Sequence, residues 1–115
     1  MEISQAEVVL SEFYFSELKQ NKLRLVVVFK NNLPFEDFVG MPMSSKLDRL
    51  DDDEIVVDES DFTEGFIPKR SKAMVRKTFV ASKQVVFKKH GKLSSQSFRQ
   101  LYLAFCRYFG CEQLT

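Results

Sequence analysis

The sequence predicts a mainly β domain of the α+β class, in which short antiparallel strands make a small barrel or a curled sheet with one C-terminal helix packed on it. Runs of β-branched and aromatic residues recur from Val8 to Phe87 with turn residues between them. One long segment near the end has helical apolar spacing, and strand and helix patterns nowhere alternate as a parallel sheet would require. With 115 residues and 44% apolar content there is chain for one core, hence a single domain over residues 1–115.

Glu7–Phe15 reads as the first strand, ending near Ser16. Glu17–Lys22 is polar and reads as a loop. Arg24–Lys30, with its unbroken Leu-Val-Val-Val-Phe centre, suits a strand buried on both faces. Asn31-Asn32-Leu33-Pro34 marks a turn, because Asn tolerates left-handed backbone and Pro fixes φ. Phe35–Ser44 is expected as the third strand, with Pro42 arguing for an edge position or a bend. Asp48–Asp61 carries eight acidic residues around Ile55-Val56-Val57, which suggests a charged loop, a short strand and another turn. It lacks the spacing and glycine of a calcium loop. Mimicry of nucleic acid and a plainly hydrated loop are the readings left to it. Gly65–Ser71 reads as an exposed basic loop, Ala73–Val80 as a strand and Val85–Phe87 as a short one, followed by a basic turn over Lys88–Lys92. Ser94 can cap a helix over Ser95–Phe109, Leu93 can staple against Phe98, and Gly110 is the expected residue just past its end.

Composition narrows the function classes. The longest apolar run, Leu25–Phe29, is five residues, far below the roughly 20 that a spanning helix needs. The N-terminus lacks the pattern of a secretory signal, so a soluble, cytoplasmic protein without membrane contact is expected. Cys106 and Cys111 form no CxxC pair and read as reduced packing residues. No metal or cofactor site is expected, and the lone His90 reads as a surface residue rather than a catalyst. Net charge is only +1, but residues 1–65 hold 6 Lys+Arg against 15 Asp+Glu, net −9, while residues 66–115 hold 11 against 1, net +10. A basic half supplies attraction for phosphates, and an acidic half would repel the same polymer or cover the basic face. Lys69, Arg70, Lys72, Arg76 and Lys77 are candidate contacts along single-stranded RNA, against the alternative of plain solubilising charge.

Three segments in order, Ala6–Ser16, Lys22–Val28 and Phe38–Lys46, resemble successive motifs of the PemK/MazF toxins: a Gly-[Asp/Glu]-Val-Val strand, an Arg-Pro pair leading an apolar run, and a strand ending in Pro-Ile-Thr-Ser. Phe66-Ile67-Pro68-Lys69 and Gly91-Lys92-Leu93-Ser94 resemble two later ones, so the similarity covers about residues 6–110. It implies an SH3-like barrel of about five to seven strands, a homodimer, and a metal-independent endoribonuclease that cleaves single-stranded RNA to 2′,3′-cyclic phosphate and 5′-hydroxyl ends. It further implies a cognate antitoxin partner, with DNA reached through the toxin–antitoxin complex. The family's catalytic Arg falls on Arg24 and its Thr on Ser44, with Lys22, Ser45 and Lys46 beside them as RNA contacts. A guanidinium can donate to two phosphate oxygens and neutralise charge building in the transition state, and a hydroxyl adds one hydrogen bond.

The sequence departs from the family pattern at Leu25 for Pro, Ala6 for Gly and Ser44 for Thr. Met74 and Arg76 stand where some members have Arg-X-Asp, so a basic group replaces an acidic one. Alternatives to the enzyme are therefore a binding module that has lost cleavage, or an inhibitor of a DNA-handling enzyme.

Overall fold

The structure is a computed structural model, and it describes residues 1–15 and 20–111. Strand β1, Glu7–Phe15, pairs along its length with β2, Gln20–Lys30. The loop expected over Glu17–Lys22 lies outside the described residues up to position 19, and Gln20–Lys22 belong to β2. As its unbroken apolar centre predicts, β2 is buried on both faces, with Val26, Val27 and Val28 fully covered. Side chains alternate along a strand, so Val27 and Phe29 join a cluster under the helix with Met41, Leu101 and Ala104. Val26 and Val28 join a second cluster with Ile3, Val9 and Phe38.

The helix α1, Ser95–Phe109, has the expected boundaries. Ser94 Oγ accepts the Ser97 N–H at 3.1 Å, and Gly110 closes the helix at φ 65°, a left-handed conformation that glycine adopts without steric cost. Phe29 meets Phe98 and Phe105 with ring centroids 5.6 and 5.0 Å apart. Phenylalanines from distant parts of the chain thus meet between sheet and helix.

Strand β3, Asp37–Ser44, begins later than expected, because Pro34–Glu36 forms a 3₁₀ turn with Phe35 and Glu36 at positive φ. It is an inner strand rather than an edge. One side pairs with β2, and the other passes from β7, Phe79–Ser82, at residues 37–40 to β6, Ser71–Met74, at residues 43 and 44. Pro42, which has no N–H to donate, falls in the gap between those two neighbours. Pro42 thus stands where β3 changes partner.

The strand expected over Ala73–Val80 is split by a 3₁₀ turn, Val75–Lys77. That turn takes up the extra residues lying between the β6 and β7 pairings to β3. Strand β4, Glu54–Val57, pairs with β6, and β5, Phe62–Gly65, pairs with β8, Val86–Leu93. The basic turn expected over Lys88–Lys92 is therefore strand. Gly91 opposite Gly65 permits the close approach, since a Cβ on Gly65 would stand 2.1 Å from the His90 carbonyl oxygen. The strands run in the order β4-β6-β3-β2-β1-β8-β5 with β7 on β3, eight antiparallel strands among the described residues. They make a curled half-barrel with α1 packed on it.

Candidate functional site

Arg24 precedes Val26 by two residues and Ser44 follows Pro42 by two, beyond the Val26–Pro42 pair that ends the β2–β3 ladder, and both line one cleft. The half-buried Arg24 guanidinium donates from Nη1 to the Met43 carbonyl oxygen at 3.0 Å, which orients it against the end of β3. Burial lowers its pKa from the ordinary guanidinium value, yet a guanidinium stays charged at any working pH. Ser44 Oγ accepts the Lys46 N–H at 3.2 Å, which fixes the turn after β3 and leaves the hydroxyl proton to donate elsewhere.

These groups face a cleft of about 370 Å³. It is lined by Arg24 from within β2, by Ser44 at the end of β3 with Ser45 and Lys46 just beyond it, and by Pro68, Lys69 and Ser71 from the segment leading into β6. Leu23, Leu25 and Met43 add apolar surface that the motif reading missed. Leu23 is half exposed beside the charged groups, and no periodicity distinguishes such a leucine from a core one. Leu25, in the place of the family's proline, also packs against the helix-side cluster.

Arg24, Ser44, Ser45, Lys46 and Lys69 are thus brought together, and the other candidates are not. Lys22 is exposed further out on β2. Arg70 lies 4.0 Å from Asp58. Arg76 lies 3.8 Å from Asp51, and its backbone N–H donates to the Asp53 carboxylate. Lys77 is exposed on the same turn. Lys72 corrects the sequence expectation: its ammonium is buried, 2.8 Å from Glu54 and 2.7 Å from the Arg49 carbonyl oxygen, so a phosphate cannot reach it. Met74, at the other departing position, is buried in β6. The acidic segment is not simply hydrated either, since Asp53 and Glu54 are buried and hydrogen-bonded.

Among the described residues no group of three His, Cys, Asp or Glu is placed to hold a metal ion, and no helix is long and apolar enough to cross a membrane. The cleft offers hydrogen-bond donors and positive charge, which suits a polyanion whose phosphate is to be neutralised.

Comparison with known proteins bears on the fold and the family. The toxin MazF-mt6 of Mycobacterium tuberculosis superposes with a TM-score of 0.68 at 14% identity, over 90% of this chain and 96% of that one. An endoribonuclease in complex with its cognate antitoxin, from a mycobacterial species, gives 0.73 at 12% identity, over 95% and 96%. A further mycobacterial endoribonuclease gives 0.70 at 12%, over 94% and 91%. These likenesses establish the shared fold. No curated protein sequence matches. A sequence profile, however, matches residues 4–109, nearly the whole chain, and by it the chain belongs to the PemK-like, MazF-like toxins of type II toxin-antitoxin systems.

Proposed function

We propose that this protein is the toxin endoribonuclease of a type II toxin-antitoxin pair, cutting single-stranded RNA in the cytoplasm without a metal ion. The observation that carries the reading is that Arg24, held by the Met43 carbonyl, and Ser44 line one cleft together with Lys46 and Lys69. In the proposed reaction the 2′-oxygen of a bound ribose forms a bond to the adjacent phosphorus while the bond to the 5′-oxygen breaks. The products are a 2′,3′-cyclic phosphate and a 5′-hydroxyl. The 2′-hydroxyl gives up its proton to solvent, and the leaving oxygen takes one. Arg24 donates to the non-bridging oxygens as their charge grows in the pentacoordinate transition state, and Ser44 adds a hydrogen bond. Lys46 and Lys69, with Ser45, hold flanking phosphates.

A cognate antitoxin is the natural partner, as it is for the mycobacterial endoribonuclease solved in such a complex. A homodimer, and DNA reached through the toxin–antitoxin complex, complete the proposed assembly.

Purified protein incubated in EDTA with mixed-sequence RNA, beside Arg24→Ala, tests the reading. Discrete cuts with cyclic phosphate ends, lost in the variant, are expected. Intact RNA after incubation with clean wild type would refute cleavage. One observation favours a second reading, a binding module without cleavage: among the described residues, none of the side chains lining the cleft is a carboxylate or imidazole that takes up a proton near neutral pH. Arg24-dependent RNA binding without product would support it.

A further inference from the structure

We infer that Lys72 is a positioning residue, whose buried ammonium clasps the loop of residues 45–53 and so sets Ser45 and Lys46 at the rim of the cleft. Lys72 lies on β6, its backbone paired with Ser44 on one side and Val56 on the other. It therefore sits beside both ends of the loop that joins β3 to β4. Its Nζ donates to the Arg49 carbonyl oxygen at 2.7 Å and to Glu54 Oε1 at 2.8 Å. The same Oε1 accepts the Asp51 N–H at 2.7 Å, and the Glu54 N–H donates to the Asp51 carbonyl oxygen at 3.0 Å. One buried ammonium and one buried carboxylate thus hold the middle and the end of the loop.

Beyond the Lys46 N–H to Ser44 Oγ bond at its start, the Arg49–Asp51 pair and the buried Asp53 at its end, the loop has little apolar anchoring. Its apolar side chains are Leu47 and Leu50; Leu47 is only partly covered, and Leu50 is 53% exposed. A buried ion pair by itself adds little net stability over an apolar pair of the same volume. What an apolar pair cannot do is bond a backbone carbonyl and a backbone N–H of a segment with so little apolar anchoring. Arg76 reinforces the clasp from the turn after β6, through its N–H to Asp53 at 3.0 Å and its guanidinium 3.8 Å from Asp51. This assigns a role to Lys72 and Arg76, two cations that do not face the cleft.

The test uses the full chain and its Lys72→Met and Glu54→Gln variants. Brief trypsin digestion is followed by mass, comparing cuts after Lys46 and Arg49 with cuts after Lys88 and Arg99 in the same sample. Cleavage tracks the open population, so the loop-to-body ratio is expected to rise about tenfold in Lys72→Met and less in Glu54→Gln. An unchanged ratio overturns the clasp. Where Lys72→Met fails to fold by circular dichroism, Glu54→Gln decides by the same criterion.

The positioning role rests on the ribonuclease reading and has its own measurement. For a short oligoribonucleotide, KM is expected to rise about tenfold with kcat nearly unchanged, the mark of lost uniform binding. Lower kcat at constant KM would mean only less folded enzyme, and would overturn positioning. If wild type cuts no RNA, the ribonuclease reading falls, and fluorescence anisotropy of the same labelled oligonucleotide replaces the kinetics. A Kd about tenfold weaker in the variants then supports positioning and an unchanged Kd overturns it.

Discussion

Replacing Arg24 by Lys keeps one positive charge in the cleft and removes the fork of donors that carries it. In the structure Nη1 of Arg24 is committed to the Met43 carbonyl oxygen at 3.0 Å, and the remaining N–H groups are set by that bond in the plane of the guanidinium. A lysine ammonium ends near the position of the guanidinium carbon. It is a point donor that cannot both keep the Met43 carbonyl and reach two phosphate oxygens. The variant therefore loses at least one hydrogen bond made to charge that exists only in the transition state. Loss of one such donor lowers kcat by about 10²–10³, or about 3–4 kcal/mol. Ground-state attraction to the phosphate persists with the charge, so KM should change by less than about threefold. Single-turnover and steady-state cleavage of one defined oligoribonucleotide in EDTA, for wild type, Arg24→Lys and Arg24→Ala, measures both constants. Full kcat in Arg24→Lys would refute the argument, because simple charge would then suffice. Loss expressed wholly in KM would refute it too, placing Arg24 in substrate binding rather than in the chemical step.

Three further outcomes bear on the scaffold. Ala6 has φ 77°, where a Cβ is disfavoured by about 1–2 kcal/mol. Ala6→Gly relieves that strain but gives up a buried methyl, about 0.8 kcal/mol, and frees the unfolded chain by about 0.5–1 kcal/mol. Thermal denaturation should find Ala6→Gly within about 1 kcal/mol of wild type and the β-branched Ala6→Val destabilised by more than about 2 kcal/mol. Ser94→Ala removes the Oγ that accepts the Ser97 N–H, and should cost about 1 kcal/mol, or about 4 °C in Tm. Asp58 is held below its ordinary pKa, first by the Ser60 hydroxyl and then by the Ser60 N–H. A depressed carboxyl pKa stabilises the fold above the unfolded value and loses that contribution as pH falls through the folded one. Ser60→Ala should therefore raise the Asp58 pKa in an NMR titration, and its stability deficit at pH 7 should shrink below about pH 4.

Elements whose signals are local were legible in the sequence. The helix boundaries follow from Ser94, the apolar spacing and Gly110, and β2 follows from a run of residues too apolar to face water on either side. Features set by pairing partners were not legible. Phe62–Gly65 is too short and polar to announce a strand, and it is one because β8 offers it an edge. Lys88 and Lys89 look like a basic turn, yet their backbone completes the ladder to β1, with Lys89 3.3 Å from Glu7. Pro42 suggested an edge wrongly, since sequence does not reveal that two strands share the far side of β3. At the cleft the order of the motifs made Arg24 and Ser44 candidates, and both line it. That Lys72 turns inward was hidden, because a strand residue's face depends on register and its partner Glu54 lies 18 positions away.

The charge division along the chain has a physical consequence that its sum of +1 conceals. The acidic half folds back on the basic half: Glu54 on Lys72, Asp51 near Arg76, Asp58 near Arg70, and Glu7 on Lys89. Each carboxylate lies before residue 65 and each cation after it. These pairs neutralise cations that composition alone would assign to RNA. They do so away from the cleft, where among the described residues none of the lining side chains is acidic and Arg24, Lys46 and Lys69 converge. Potential at a concave surface is set by the nearby charges more than by the net charge of the molecule. A nearly neutral chain can therefore present a locally cationic cleft to a polyanion while its acidic segment, engaged with Lys72 and Arg76, stays out of the substrate's path.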